Sequence, residues 1–188
     1  MSITAARLAA VAVVVGVVSV SAAAAAAKGL TARQAVRTGT TYISKLYGYE
    51  ITLNGKYTMT KALFQWDGSF PFGANGMVDI TIDPHDRKFI IAAKHVSSKM
   101  TLAGWQAFIV AVKKQNCTRL RDFRSTSLGG VPAREFVNSC PEYGVITLAA
   151  LHNGRGYLFE YLSPTGSSAS SARRTYEAGR RSFRYIHP

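Results

Sequence analysis

The pattern of apolar and polar residues predicts a chain dominated by β-strands after about residue 46. Strict alternation marks one strand, in which Val78, Ile80 and Ile82 are apolar and the residues between them are polar. Asn54-Gly55 lies between two β-rich runs and is a strong hairpin signal, because both central turn positions require positive φ. We therefore predict one hairpin there and a second at the proline-containing turn after the alternating strand.

Residues 101–115 have the spacing of a helix. Apolar side chains recur every three or four residues on one face, as Leu102, Trp105, Phe108, Ile109 and Val112. Thr101 is placed to cap the N terminus, and Lys113 and Lys114 fall in the last turn, where cations favour the helix dipole. Such a stripe predicts a helix that packs on the core.

A third hairpin is predicted to turn at Gly129-Gly130. Pairing outward from this turn sets Arg124 opposite Glu135 and Phe123 opposite Phe136. An opposite-charge pair and an aromatic pair in the same register support the hairpin.

The two cysteines, Cys117 and Cys140, lie near the open end of this hairpin. An even cysteine count in an exported chain predicts a disulfide, with a pair of buried thiols as the alternative. The bond would close a loop of about 24 residues and stabilise the fold by about 3 kcal/mol. The pair is a poor zinc site, because no histidine is near in the sequence.

A fourth hairpin is predicted to turn at Asn153-Gly154. Both faces of its two strands are largely apolar, which indicates a ribbon covered by a layer on each side. His152 and Arg155 would lie at its tip. A catalytic histidine is the alternative interpretation, but the turn explains Asn153, so we expect an exposed, non-catalytic His152.

The C-terminal segment predicts a final helix, capped by a serine among residues 167–171, with Ala172, Tyr176 and Phe183 facing the core. Its arginines are expected to face away from the core as an anion- or partner-binding surface: Arg173, Arg174, Arg180, Arg181 and Arg184. The alternative is a solvated face in which Glu177 is an internal partner.

The N-terminal residues 1–27 are predicted to be a signal peptide. Arg7 precedes a short apolar run that ends in an alanine-rich tract with several cleavage points. A retained membrane anchor is the alternative, since residues 8–27 are just long enough to span a bilayer. Residues 28–45 are expected to form an arm or short helix, and residues 46–188 one domain.

The order of these elements resembles the PsbP-like (PsbP/Mog) fold family, which includes small exported bacterial proteins. The resemblance spans roughly residues 47–186 and depends on "YGYEITLNGKY", "QWDG", "LGGVPAREF", "HNGRGYLFEYLSP" and the final "SFRYI". It implies an α+β fold, an antiparallel sheet flanked by helices in an α/β/α sandwich. Known members act mainly by binding proteins or assisting assembly, so the resemblance implies no reaction. Its Pro and Trp after the first strand are replaced by Lys56-Tyr57, and no partner-binding residue is carried over.

Motifs for catalysis or cofactors are missing from the sequence, including G-x-S-x-G, H-E-x-x-H, Walker A and G-x-G-x-x-G. The best metal candidate is the group Asp79, Asp83, His85 and Asp86, but a turn beginning at Asp83 explains these residues better. We therefore predict no cofactor, no metal and no enzyme, with an unrecognised secreted hydrolase as an alternative.

The formal net charge of +13 favours anionic partners. We expect a secreted or extracytoplasmic, non-catalytic binding or assembly protein, whose partner is an unknown protein or envelope component. The alternative is a binder of anionic lipid or wall polymer through the arginine-rich helix. Specific nucleic-acid recognition is not expected, because no groove-reading motif is present and the export signal removes the protein from cytoplasmic DNA.

Overall fold

The computed structural model of the protein describes residues 39–71 and 76–186. The predicted signal peptide and residues 28–38 of the predicted arm lie outside these residues, so both stay predictions. The end of the arm differs from the expectation, because Thr40–Ser44 is a strand. Three of its five residues are β-branched, and Ser44 at its end is buried.

The described residues form ten strands and two helices in an α+β arrangement. The strands are β1 Thr40–Ser44, β2 Tyr49–Leu53, β3 Thr58–Thr60, β4 Asp79–Ile82, β5 Lys88–His95, β6 Thr118–Leu128, β7 Val131–Ser139, β8 Tyr143–His152, β9 Arg155–Pro164 and β10 Arg184–Tyr185. The helices are α1 Leu102–Lys114 and α2 Ala169–Ser182. Two antiparallel sheets result, one ordered β1-β2-β10 and the other β3-β4-β5-β9-β8-β7-β6.

The β8–β9 hairpin has the predicted register. His152 pairs with Arg155 and Leu148 with Phe159. The central turn residues, Asn153 and Gly154, have φ of 46° and 70°, as a two-residue turn of this kind requires. The β4–β5 and β6–β7 hairpins also form, although β6 shifts register twice along its length.

The hairpin predicted at Asn54-Gly55 is wrong. β2 pairs with β1 and β10, whereas β3 pairs with β4 in the other sheet. Gly55 has a φ of 105°, but Asn54 does not have positive φ. The two-residue turn that needs positive φ at both positions is therefore not formed. β2 instead pairs with β10 and with β1, which lies in the predicted arm.

Both helices contact β9. Gly156 leaves room for the ring of Trp105 in α1, whose Nε1 donates to the Tyr157 carbonyl at 2.8 Å. Phe159 contacts Tyr176 of α2, with ring centroids 6.0 Å apart. Both helices therefore pack against the large sheet at β9.

Thr101 caps α1 as predicted, with its side chain accepting from the Gly104 amide at 3.0 Å. Lys113 lies in the last turn as predicted, but it is fully buried and its Nζ lies 2.8 Å from Glu160 Oε1. The Thr147 hydroxyl lies 2.9 Å from the same carboxylate oxygen. The helix thus uses this lysine to pair a buried carboxylate, not to complement its dipole at the surface.

Cys117 and Cys140 form a disulfide whose Cα atoms are 4.3 Å apart. It lies at the open end of the β6–β7 hairpin, as the register predicts. The Nδ2 atom of Asn138, a buried residue, lies 3.4 Å from Cys140 Sγ. The disulfide therefore joins the end of α1 to the β7–β8 connection inside the core cluster.

Candidate anion-binding surfaces

The arginines of α2 do not form one solvent-facing row. Arg173 donates from NH1 to Glu135 Oε1 at 2.6 Å, and Glu135 is fully buried. Arg180 donates from NH2 to Glu177 Oε2 at 2.7 Å and from NH1 to the Ser127 carbonyl at 2.7 Å. The expectation that all five face away from the core is thus wrong for these two, because acids on β7 and on α2 itself lie within their reach.

Glu135 is the centre of this ionic cluster. Arg124 on β6 donates to both carboxylate oxygens, at 2.8 and 3.0 Å, and the Tyr176 hydroxyl donates at 2.7 Å. Burial raises the pKa of Glu135, but hydrogen bonds from Arg124, Tyr176 and Arg173 outweigh it and hold the pKa below its usual value. Burial and the adjacent carboxylate raise the pKa of Tyr176. Both shifts favour an ionised glutamate and a neutral tyrosine.

The remaining arginines of the predicted surface, Arg174, Arg181 and Arg184, are exposed. Arg184 donates to the carbonyls of Arg181 and Phe183, both at 2.7 Å, and so satisfies backbone groups at the end of α2. Arg174 lines a cavity of about 230 Å³ between α2 and the segment that follows β2. The surface that α2 offers to an anion is therefore narrower than the sequence predicts.

A second basic site lies at the tip of the β8–β9 hairpin. It is a cavity of about 220 Å³ lined by Lys45, Tyr47, Gly48, His152, Asn153, Arg155, Tyr157 and Ile186. The lining contains a lysine, an arginine and a histidine, and within the described residues it contains no acid. We call it the tip cavity. Its walls come from the turn between β1 and β2, the β8–β9 turn and the end of the described chain.

The tip cavity is held in shape by contacts to backbone carbonyls. Arg155 donates from NH1 to the Leu46 carbonyl at 2.8 Å, and the Tyr157 hydroxyl donates to the Tyr47 carbonyl at 2.7 Å. These bonds tie the β8–β9 hairpin to the β1–β2 turn. Burial raises the pKa of Tyr157, although nearby Arg155 opposes this, so Tyr157 acts here as a neutral donor.

His152 is only partly exposed, which corrects the expectation of an exposed side chain. Its ring stacks on Tyr185 of β10, with centroids 4.0 Å apart. Neither Asp nor Glu is among the described residues that line the tip cavity. The ring stack makes His152 part of the cavity wall.

Sequence reasoning placed His152 and Arg155 together but missed the rest of the site. Lys45 falls in the predicted arm, and the turn between β1 and β2 that contains Tyr47 and Gly48 is not predicted. The useful signal was the pairing of two basic residues at one hairpin tip. Nothing local in the sequence shows that the β1–β2 turn lies against that tip.

The acidic residues near Asp83 serve structural roles. Asp79 is buried, accepts from the Tyr49 hydroxyl at 2.8 Å and accepts from the Ala62 amide at 2.7 Å. Asp83 accepts from the His85 amide at 2.9 Å and lies 2.5 Å from Arg87 NH2. No group of three or more metal-ligating side chains occurs in the described part of the chain. Neither of its helices is both long and apolar enough to cross a membrane.

Comparisons with known proteins give a fold but no sequence family. No family model matches the chain, and no curated protein matches it. The solution structure of cyanobacterial PsbP (CyanoP) from Synechocystis sp. PCC 6803 is similar with a TM-score of 0.58 and 12% identity, covering 80% of this chain and 94% of that one.

Two other structures are more distant. LpqN of Mycobacterium tuberculosis, described as involved in cell envelope biogenesis, has a TM-score of 0.48, 9% identity and coverage of 79% of this chain and 86% of its own. A Bacteroides thetaiotaomicron VPI-5482 protein has a TM-score of 0.43 and 10% identity, covering 80% of this chain and 49% of its own. The similarity to CyanoP shows that the chain has a PsbP-like fold.

Proposed function

We propose that this chain is an exported, non-catalytic binding or assembly protein that captures an anionic envelope component or an acidic protein on its basic surface. One observation carries the proposal. Four of the ten acidic residues are buried in the core, as Asp79, Asp83, Glu135 and Glu160. Three of these acids pair with lysine or arginine inside the fold, so the net positive charge of the chain is carried by the other lysines and arginines, and such a surface attracts anionic partners.

The buried carboxylates support a non-catalytic role because their contacts are with the fold itself. Lys113 pairs with Glu160, Arg87 with Asp83, and Arg124 and Arg173 with Glu135. A general acid or base needs a titratable group with access to substrate. These three carboxylates instead bind side chains of neighbouring strands, helices and turns.

The layering of the chain supports binding at its ends and outer surfaces. Helices α1 and α2 both contact β9, as expected if they are the covering layers of an α/β/α sandwich. Both faces of the large sheet are then occupied by the protein's own side chains. A partner is left with the hairpin tips, the sheet edges and the outer sides of the helices.

The tip cavity is the best candidate for the binding site. It is concave, its side chains converge from two different turns, and Lys45, His152 and Arg155 line it without an acid among the described residues. Convergent cationic donors in a cavity favour a phosphate or carboxylate group. The outer side of α2 is a second candidate, because Arg174 and Arg181 remain exposed there.

Export is supported by the disulfide. A structural bond between Cys117 and Cys140 is typical of proteins that fold in an oxidising compartment. Together with the predicted signal peptide, it favours a secreted or extracytoplasmic location. N-terminal sequencing of the exported protein tests this part, and an intact Met1 would contradict it.

Binding at the tip cavity is tested by NMR titration of the ¹⁵N-labelled protein with inorganic phosphate. We expect amide shifts at Gly48, Asn153 and Gly154, because these residues form or adjoin the cavity. Lys45→Glu should remove most of the shifts. Lys99→Glu is the matched control, since it changes the net charge equally at an exposed position before α1.

The two candidate surfaces give different results. Shifts centred on Arg174 and Arg181 that survive Lys45→Glu would place the anion on α2 instead. Shifts lost equally in both lysine variants would mean that only the overall charge matters. An absence of shifts at all sites at low salt would contradict anion binding altogether.

A further inference from the structure

We propose that the loop beside the tip cavity is a membrane-inserting finger, and that the anionic partner is the headgroup layer of a phospholipid bilayer. The finger consists of Leu63 and Phe64. This inference rests on the proposed function, because it names the partner of the same basic cavity.

The finger exposes two large apolar side chains at adjacent positions. Leu63 is 74% exposed and Phe64 is 62% exposed, the highest values among the exposed large apolar residues of the described chain. Exposed apolar area of this kind marks an interaction site when it is contiguous. Phe123, which is 53% exposed on β6, lies elsewhere in the fold and provides a comparison.

The finger is held in place by its backbone. The amides of Leu63 and Phe64 both donate to the Gly76 carbonyl, at 2.7 and 3.0 Å. Just before them, the Ala62 amide donates to the buried carboxylate of Asp79 at 2.7 Å. The two side chains are therefore presented without the entropy cost of ordering the loop on binding.

The finger and the tip cavity share a wall. The Tyr47 hydroxyl lies 3.2 Å from the Phe64 carbonyl oxygen, and Tyr47 also lines the cavity. Gln65 Nε2 and Arg155 NH1 donate to the same Leu46 carbonyl, at 3.3 and 2.8 Å. The finger and the cationic side chains of the cavity are thus connected through Tyr47 and the Leu46 carbonyl.

A bilayer surface matches this arrangement. Its acyl boundary accepts apolar side chains, and its anionic headgroups attract lysine and arginine at the depth of the phosphates. Lys61, two residues before Leu63, and Lys45 are exposed and can reach the headgroup layer. Two apolar residues beside lysines are too small for the apolar core of a standard protein interface, which buries about 800 Å² on each partner.

The test compares sedimentation of the exported protein with vesicles of phosphatidylcholine and with vesicles that also contain phosphatidylglycerol. We expect binding only to the anionic vesicles. Leu63→Ser with Phe64→Ser should weaken it by about tenfold or more, the loss expected for two apolar side chains that are no longer buried. Phe123→Ser should bind like the wild type. All variants share one N terminus, so its contribution cancels.

A second measurement locates the finger in the bilayer. Phe64→Trp should be quenched by brominated acyl chains in anionic vesicles, whereas Phe123→Trp should not, each measured against the wild-type signal of Trp66 and Trp105. Wild-type sedimentation by the double serine variant, or equal quenching at the two sites, would overturn the inference. So would a wild type that ignores vesicles yet gives phosphate shifts at the tip cavity, and in that case the proposed function would stand with an acidic protein or polymer as partner.

Discussion

Arg173 and Arg174 are neighbours on α2 with the same charge but different surroundings. Arg173 pairs with the buried Glu135, whereas Arg174 is exposed. Replacing either by serine changes the net charge and the helix propensity equally. We expect Arg173→Ser to lower the free energy of unfolding, and Arg174→Ser to change it by less than about 0.5 kcal/mol.

The size of the effect follows from the contacts of Glu135. Loss of one hydrogen bond to a charged group costs about 1.5–3 kcal/mol, more where a buried charge is left poorly compensated. Two features reduce this value here. The Arg173 side chain is 33% exposed, so solvent screens it, and Arg124 and Tyr176 still bond the carboxylate. We therefore expect a loss of about 1–2 kcal/mol.

Urea unfolding of the two variants and the wild type measures the difference. For a chain of this length, the expected loss corresponds to a fall in Tm of about 3–6 °C. Equal stabilities of the two variants would refute the reasoning, because the contact of Arg173 with the buried Glu135 would then make no difference. The same comparison bears on α2 as a binding surface: variants that include Arg173 test stability and binding together, whereas Arg174→Ser with Arg181→Ser tests binding alone.

Three further predictions concern the rest of the fold. The Glu135 cluster should stabilise the protein above the carboxyl's unfolded pKa of about 4.5, and this stability should be lost as pH falls through the lower folded pKa; urea midpoints measured down to about pH 3 should fall less steeply in Glu135→Gln. Gly154→Val should cost about 1–3 kcal/mol, because its φ of 70° strains a β-branched residue, and a wild-type midpoint would contradict this. Cys117→Ser with Cys140→Ser should cost about 3 kcal/mol, since the bond closes a loop with a sequence separation of 23; an unchanged urea midpoint would show that the bond does not constrain the unfolded chain.

Local rules predicted those parts of the fold whose causes are local. The β8–β9 register follows from Asn153-Gly154, because the turn fixes which residues face each other. The N-cap of α1 at Thr101 follows from one side chain and the helical spacing after it. Asn54-Gly55 carries the same local turn signal as Asn153-Gly154, yet β2 pairs with β1 on one edge and with β10 on the other. A turn signal therefore predicts where the chain bends but not which strands then pair.

The same limit applies to the charged side chains. Arg173 occupies a helix position that the sequence analysis assigns to solvent, and Lys113 lies beside the apolar stripe of α1, yet both pair with a buried glutamate on a strand. The sequence shows the helices and the strands separately. It contains no local signal for the position of a helix over a sheet, and that position decides which cations meet Glu160 and Glu135.

The location of the basic surface depends on this pairing of charges. A net charge of +13 predicts the sign of the partner, but each buried acid also withdraws nearby cations from the surface. Around α2, Glu135 and Glu177 withdraw Arg173 and Arg180. Among the described residues, no acid lines the tip cavity. The arginine-rich helix is the more conspicuous feature of the sequence, but the tip cavity is the stronger candidate because Lys45 and Arg155 come together in its lining.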